Sequence, residues 1–145
     1  MNLTQHFTLE EMTRTDLRKL DNTPPPAIIP NIKRMAEFME QVRTELGHAI
    51  HVHSCFRSKK VNDAVGSKDT SKHREGLACD FTCPIYGDPL DIVEKLSKSG
   101  LNFDQLILEF YEPKVKGWVH IGLGAKMRRQ VLTINQHGTY AGIHV

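Results

Sequence analysis

From residue 28 the apolar positions recur every three or four residues: Ile28, Ile29, Ile32, Met35, Ala36, Met39, Val42 and Leu46, with Arg43 on the same face. That spacing is the stripe of an amphipathic helix turned toward a core. It predicts a helix of about five turns, opening near Pro26, where proline suits the first turn, and closing at Gly47. Ahead of it, Thr8-Leu9-Glu10-Glu11 has the capping-box pattern of a short helix, and Asp21–Pro26 breaks the chain. After Gly47 the period drops to two. Ile50, Val52 and Ser54 alternate with His51, His53 and Cys55, which predicts a short strand. Residues 58–76 are polar and read as loop, with a short helix at Val61–Val65. Leu77–Phe81 is a further strand. Cys83-Pro84 and Gly87-Asp88-Pro89 are turn chemistry, and Pro89–Ser99 is a helix with Leu90, Val93 and Leu96 on one face, closed by Gly100. Gln105–Phe110 and Trp118–Leu123 are apolar strands that Tyr111–Gly117 joins into an antiparallel hairpin with a long tip. From Lys126 the pattern weakens, so Arg128-Arg129 and Gly138-Thr139-Tyr140 are expected at the surface, the arginines as a solvated pair. The order predicts an α+β fold over residues 1–145, a small antiparallel sheet packed against helices.

Composition narrows the function classes. A chain of 145 residues suits one domain with a sizeable core. The formal net charge of +2 supplies no strong field for nucleic acid. No apolar run approaches the roughly 20 residues of a membrane-spanning helix. The start, MNLTQHFTLE, lacks the basic and apolar regions of a secretory signal, so synthesis in the cytoplasm is expected. The three cysteines, Cys55, Cys79 and Cys83, form no framework and are expected as reduced thiols.

The histidines and acids carry the chemistry. In a strand at Leu77–Phe81, Ala78 and Asp80 share one face, and Leu77, Cys79 and Phe81 the other. In the later strand Trp118 and His120 share a face. If the two strands are neighbours, Asp80 and His120 meet, and His73 can reach them from the loop because Gly76 lets the backbone bend. Two imidazoles and one carboxylate leave a fourth tetrahedral position for water, the arrangement of catalytic rather than structural zinc. Taken one at a time, each residue also fits a blander role: a satisfied core or surface histidine, or an Asp80 simply paired with Arg57.

The run SxHxxGxAxD at Ser71–Asp80, followed later by WVH at Trp118–His120, resembles the D-Ala-D-Ala carboxypeptidase family of zinc peptidases. Relatives of that family include phage endolysins, vancomycin-resistance dipeptidases and the hedgehog signalling fold. The likeness starts at HFTLEEMTRT and continues through NTPPP, SCFRS, VNDAVGSKDTSKHREGLACDF and FDQLILE to WVHIG. It implies one zinc ion per chain, held by His73, Asp80 and His120 in a cleft on the sheet face. It implies that Arg57 binds the substrate's carboxylate or polarises the scissile carbonyl, a task suited to its planar fork of donors. Ser71 would orient the loop or touch substrate, and Trp118 would wall the site.

The general base is less direct. Many relatives place an acid or histidine three residues before the last ligand, where this chain has Gly117. The subgroup with DQLI-x-E offers Glu109, which a hairpin would bring to His120. Glu112, in the tip, is the runner-up. The competing reading pairs Glu109 with Lys114 or Lys116. A cysteine-hydrolase reading of Cys79 fails because strand alternation turns it from the metal face. Cys55 replaces the family's usual glycine and is expected near the cleft and reactive. His51 and His53 line the cleft or face solvent.

The resemblance implies hydrolysis of a peptide bond in peptidoglycan stem peptides. The enzyme would be a D-Ala-D-Ala carboxypeptidase or an endopeptidase cutting a bond such as L-Ala-D-Glu. It implies a monomeric phage or prophage protein that reaches the wall through a holin or in a virion, with no nucleic-acid partner and no membrane insertion. The alternative from a different class is a zinc-containing wall-binding or virion structural protein with weak catalysis.

Overall fold

The computed structural model describes residues 1–145. Helix α1 (Leu9–Met12) opens on the expected capping box: Thr8 Oγ1 accepts from the Glu11 N–H at 3.1 Å, and the Glu11 carboxylate accepts from the Thr8 N–H at 3.2 Å. A 3-10 turn at Pro26–Ile28 runs into α2 (Ile29–Leu46), which ends on Gly47 at φ 70°. Helix α2 buries Ile32, Met35, Ala36, Met39, Val42 and Leu46, together with Phe38 one step off the predicted stripe. Helix α3 (Lys59–Ala64) is capped by Ser58, and α4 (Pro89–Ser97) by Asp88.

Helix α4 stops at Ser97 rather than at Ser99. The Arg129 guanidinium donates to the carbonyls of Ser97 (3.3 Å), Ser99 (3.1 Å) and Leu101, and lies 4.7 Å over the Phe103 ring. A cation from late in the chain thus satisfies carbonyls that follow the helix, where positive charge is favoured.

The strands are β1 (His51–Ser54), β2 (Ala78–Thr82), β3 (Gln105–Glu112), β4 (Lys116–Gly122), β5 (Gln130–Asn135) and β6 (Gly138–Ala141), in the spatial order β1-β2-β4-β3-β5-β6. All pair antiparallel except β3 and β5, which are parallel. Alternation divides the sheet into two faces. Cys79 and Phe81 of β2, Leu106 and Leu108 of β3, and Val119 and Ile121 of β4 join α2 and α4 in one apolar cluster. Asp80, Glu109, Trp118 and His120 are left on the opposite face. The fold is α+β, with the helices over one face and the cleft on the other. No helix is long and apolar enough to cross a membrane.

Three expectations are corrected. The tail after Lys126, whose weak pattern predicts no element, forms β5 and β6, with Gly138 and Thr139 at the surface as expected. Its Val131-Leu132-Thr133-Ile134 run has strong β propensity, and its partner is a non-adjacent strand. Arg128 and Arg129 are not a solvated pair either. Arg128 grips the buried Asp104 carboxylate with Nε at 2.6 Å and Nη2 at 3.1 Å, fastening the 123–129 connection across the start of β3. The hairpin tip is also shorter than expected, because Glu112 still pairs with Lys116 beyond a bulge after Glu109.

The Arg128 hydrogen bonds hold the Asp104 carboxyl below its ordinary range, against the opposing effect of burial. A depressed carboxyl pKa stabilises the fold above the unfolded-state value and loses that contribution as pH falls through the folded-state value. Arg128→Gln is therefore expected to lower the urea midpoint at pH 7. The gap between variant and wild type should narrow below about pH 4. Urea unfolding of both proteins at pH 7 and pH 3 checks this.

Candidate metal centre

Strand register places Asp80 of β2 opposite His120 of β4. His73 arrives from a 3-10 turn, Lys72–Glu75, capped by the Ser71 side chain, whose Oγ accepts from the His73 N–H at 3.2 Å. The turn closes on Gly76 at φ 73°, where a Cβ would stand 2.7 Å from Ile32 Cγ1 of α2. Glycine is needed there both for the left-handed backbone and for the close approach. His73 Nδ1 donates to the Cys55 carbonyl at 2.6 Å, since that oxygen can only accept. Nε2 is left to face Asp80 Oδ1 at 3.2 Å. His120 Nδ1 lies 2.9 Å from the same oxygen. The other carboxylate oxygen accepts from Arg57 Nη2 at 3.1 Å, while Arg57 Nε donates to Ser54 Oγ at 3.1 Å.

Burial alone would raise the Asp80 pKa, but the charge of His73 and the hydrogen bonds of both histidines hold it far below the carboxylate range. Burial drives His73 toward the neutral form a ligand needs, against the pull of Asp80. Burial opposes the charge on His120 too, but there the Asp80 hydrogen bond and charge outweigh it and the pKa is raised. One ligand atom from each residue lies within 4.8 Å of the others, and all three residues are buried. The donor set fits a divalent cation. Two imidazoles and a carboxylate converge, and the outer nitrogen of His73 is already oriented by a backbone carbonyl, the usual support for a metal-bound histidine.

Glu109 faces Trp118 across the hairpin, and its Oε1 is 3.5 Å from His120 Nδ1. It pairs with no lysine. Burial, reinforced by the Asp80 charge, raises its carboxyl to about 7. Glu112 is not in the site: it sits exposed at the end of β3, paired with Lys116 at 3.2 Å. Gly117 sits at φ 110°, and a Cβ there would be 2.7 Å from Tyr111 Cα and 3.0 Å from the Glu109 carbonyl. The bulged partner strand leaves no room for an acid three residues before His120.

Arg57, Ser71, Trp118, Glu109 and the three donors line one cleft of about 910 Å³. Trp118 packs against Phe110, ring centroids 5.5 Å apart. The cleft also takes in Ile107, Leu132, Ile134 and Arg128, none of which the motifs single out; Leu132 and Ile134 come from β5, which the weak pattern after Lys126 conceals. The β-branched, apolar run Val131–Ile134 is the signal that could have found them. His51 and His53 are exposed and outside the cleft wall, bonded to Arg14 (3.3 Å) and Thr82 (2.8 Å).

With that geometry in place, the family model described as Peptidase M15 matches residues 5–122. The chain belongs to the Peptidase M15 family. No curated protein matches it. The M15 match takes in all three candidate donors, Arg57 and Glu109, and it stops at the end of β4, before β5 and β6. Membership makes the protein a metallopeptidase.

The cysteines of this M15 peptidase take no part in the cleft. Cys79 is wholly buried in the core, and its hydrogen bond with Cys55 and then its burial push the thiol pKa up, away from the nucleophilic form. The Cys55 thiol is buried too, contrary to the expectation of a reactive group at the cleft. Only its carbonyl faces the site, through His73, while its side chain turns into the core beside Cys79.

Two outcomes follow. A thiol reagent should find no reactive cysteine in the native protein and all three after unfolding in denaturant. Gly117→Asp should cost more than about 1 kcal/mol of stability, from the disfavoured φ and the Cβ clash, measured as a drop in unfolding midpoint.

Proposed function

We propose that this M15 metallopeptidase hydrolyses a peptide bond in peptidoglycan stem peptides, with one zinc ion held by His73, Asp80 and His120. The observation that carries the reading is the placement of Glu109. A carboxyl that no lysine neutralises stands 3.5 Å from a candidate ligand, in the same open cleft as the donor set. Zinc bound there supplies Lewis acidity toward the scissile carbonyl and makes water a nucleophile at neutral pH.

The chain's own groups do the rest. Glu109 Oε1 takes a proton from the attacking water and returns it to the leaving amine. Arg57, tethered through Nη2 to Asp80 and through Nε to Ser54, keeps Nη1 for the substrate, where it holds a carboxylate or the oxygen that gains charge during attack. Ser71 positions the turn that carries His73. Trp118 walls the cleft and limits water around the reacting bond.

Digestion of purified peptidoglycan and soluble muropeptides by the zinc-loaded protein, beside a chelated control and read by mass spectrometry, tests this. Chelator-sensitive loss of a terminal D-Ala identifies a carboxypeptidase, and new interior termini identify an endopeptidase. Zinc bound stoichiometrically with no cleavage of any wall type would overturn the hydrolytic reading in favour of a wall-binding or virion structural protein.

Glu109→Gln should keep its zinc and lose about 10²- to 10⁴-fold in kcat. His73→Ala should lose stoichiometric zinc by metal analysis. Zinc at 100 times its Kd should stabilise the wild-type fold by about 2.7 kcal/mol, and the His73→Ala protein by far less.

A further inference from the structure

The register of the sheet extends the site beyond its metal donors. Asp80 stands beside His120, His120 beside Ile107 of β3, and Ile107 beside Leu132 of β5. The next row runs from Trp118 to Glu109 to Ile134. Paired strands lie about 4.8 Å apart, so Leu132 is about 10 Å from the strand that carries His120. An apolar lane therefore leads from the donors over Ile107 to Leu132, with Ile134 next to it on the Glu109 side, and all of these residues line the same cleft. An open face of an antiparallel sheet ordinarily alternates to polar side chains. Here aliphatic residues continue the row of the donors instead. Leu132 and Ile134 are only half-buried. Both belong to β5, outside the matched residues 5–122.

Phe110, next to Glu109, lines the same cleft. It occupies the bulge at φ 50°, an unfavourable backbone for an aromatic residue. Its ring stays 38% exposed against Trp118. Bulges next to sites re-aim side chains, and strain of this kind persists where function uses it.

We propose that Phe110, Leu132 and Ile134 form a specificity subsite for the long aliphatic side chain of the diamino acid at the third position of a stem peptide, an inference that rests on the peptidase reading above. An extended peptide advances about 3.3 Å per residue. A residue second from the scissile bond is then about 7 Å away, and a four-carbon side chain spans the remaining distance to Leu132. For a cut at D-Ala-D-Ala the third stem residue is second from the scissile bond on its acyl side, which is the cut the lane fits. Its neighbours offer only a methyl or a carboxylate, which the lane cannot use.

The test uses the zinc-loaded full chain and two synthetic probes: the pentapeptide L-Ala-γ-D-Glu-L-Lys-D-Ala-D-Ala and its analogue with alanine in third place. Wild type should prefer the lysine peptide by about tenfold or more in kcat/KM. Leu132→Ser and Ile134→Ser should lose most of that preference, chiefly through KM. Ile85→Ala, at a 74% exposed position off the cleft, should keep it. Phe110→Gly should lose preference while its Tm holds or rises, since glycine accepts the bulge backbone; a destabilised variant could not give that pair of results.

A second readout does not need turnover. Titrating the lysine peptide into the Glu109→Gln protein should shift the methyl NMR signals of Ile107, Leu132 and Ile134. Equal cleavage of both peptides by wild type, or cleavage without methyl shifts, overturns the subsite alone. Methyl shifts without cleavage support the subsite and overturn the hydrolytic reading. Neither shifts nor cleavage overturns both.

Discussion

A buried carboxylate is the constraint on which the site depends. Asp80 lies on an inner strand of the sheet with almost no contact with solvent. An unpaired charge there would cost several kcal/mol. It survives because each oxygen has partners: His73 and His120 on one, Arg57 on the other. These partners come from a 3-10 turn, a neighbouring strand and the segment after β1, which are far apart in sequence. Misplacing any one of them would expose an uncompensated charge, so the same charge that gathers metal donors also penalises folds in which they fail to meet. A cation in the centre satisfies the carboxylate further, which couples metal affinity to folding.

The hairpin shows how a backbone constraint relocates a chemical role. The bulge after Glu109 adds a residue to β3 and forces Phe110 to a positive φ. The facing strand answers with Gly117, which has no space for a side chain. An acid cannot stand at that position. Glu109, one strand over and beside His120, presents a carboxyl from the direction the bulge permits. The positions of the bulge, the glycine and the acid are thus one decision made three times.

Much of this was legible in residue pattern because it depends on local rules. The helix stripe of α2, the Thr8 capping box and the alternation that puts Asp80 and His120 on one face all follow from periods of 3.6 and 2. Motif spacing picked out His73, Asp80, His120, Arg57 and Glu109 as candidates, and the fold brings them into one cleft. What was not legible was non-local. Strand β5 pairs in parallel with β3 around an intervening hairpin strand, and nothing within the Gln130–Asn135 window names that partner. Arg128 and Arg129 look like a surface pair until Asp104 and the carbonyls after α4 are brought to them by the chain's return. The expectation for Cys55 rests on its standing where the family has glycine; the irregularity in β1 between Val52 and Ser54 instead accompanies a thiol turned to the core, while the carbonyl serves His73.

Strand β5 also changes what the sheet can do. Without it, β3 would be an edge, its unpaired N–H and C=O groups open to any passing strand. Pairing β5 there covers that edge and carries the cleft floor two strands beyond His120, with Asp104 and Arg128 fastening the connection that makes the pairing possible. The covering strand need not have offered aliphatic side chains to the solvent face, since the ladder hydrogen bonds are backbone groups and are indifferent to them. That Leu132 and Ile134 nevertheless point into the cleft, in line with Asp80, His120 and Glu109, is a choice of side chain that edge protection does not require, and substrate binding gives it a use.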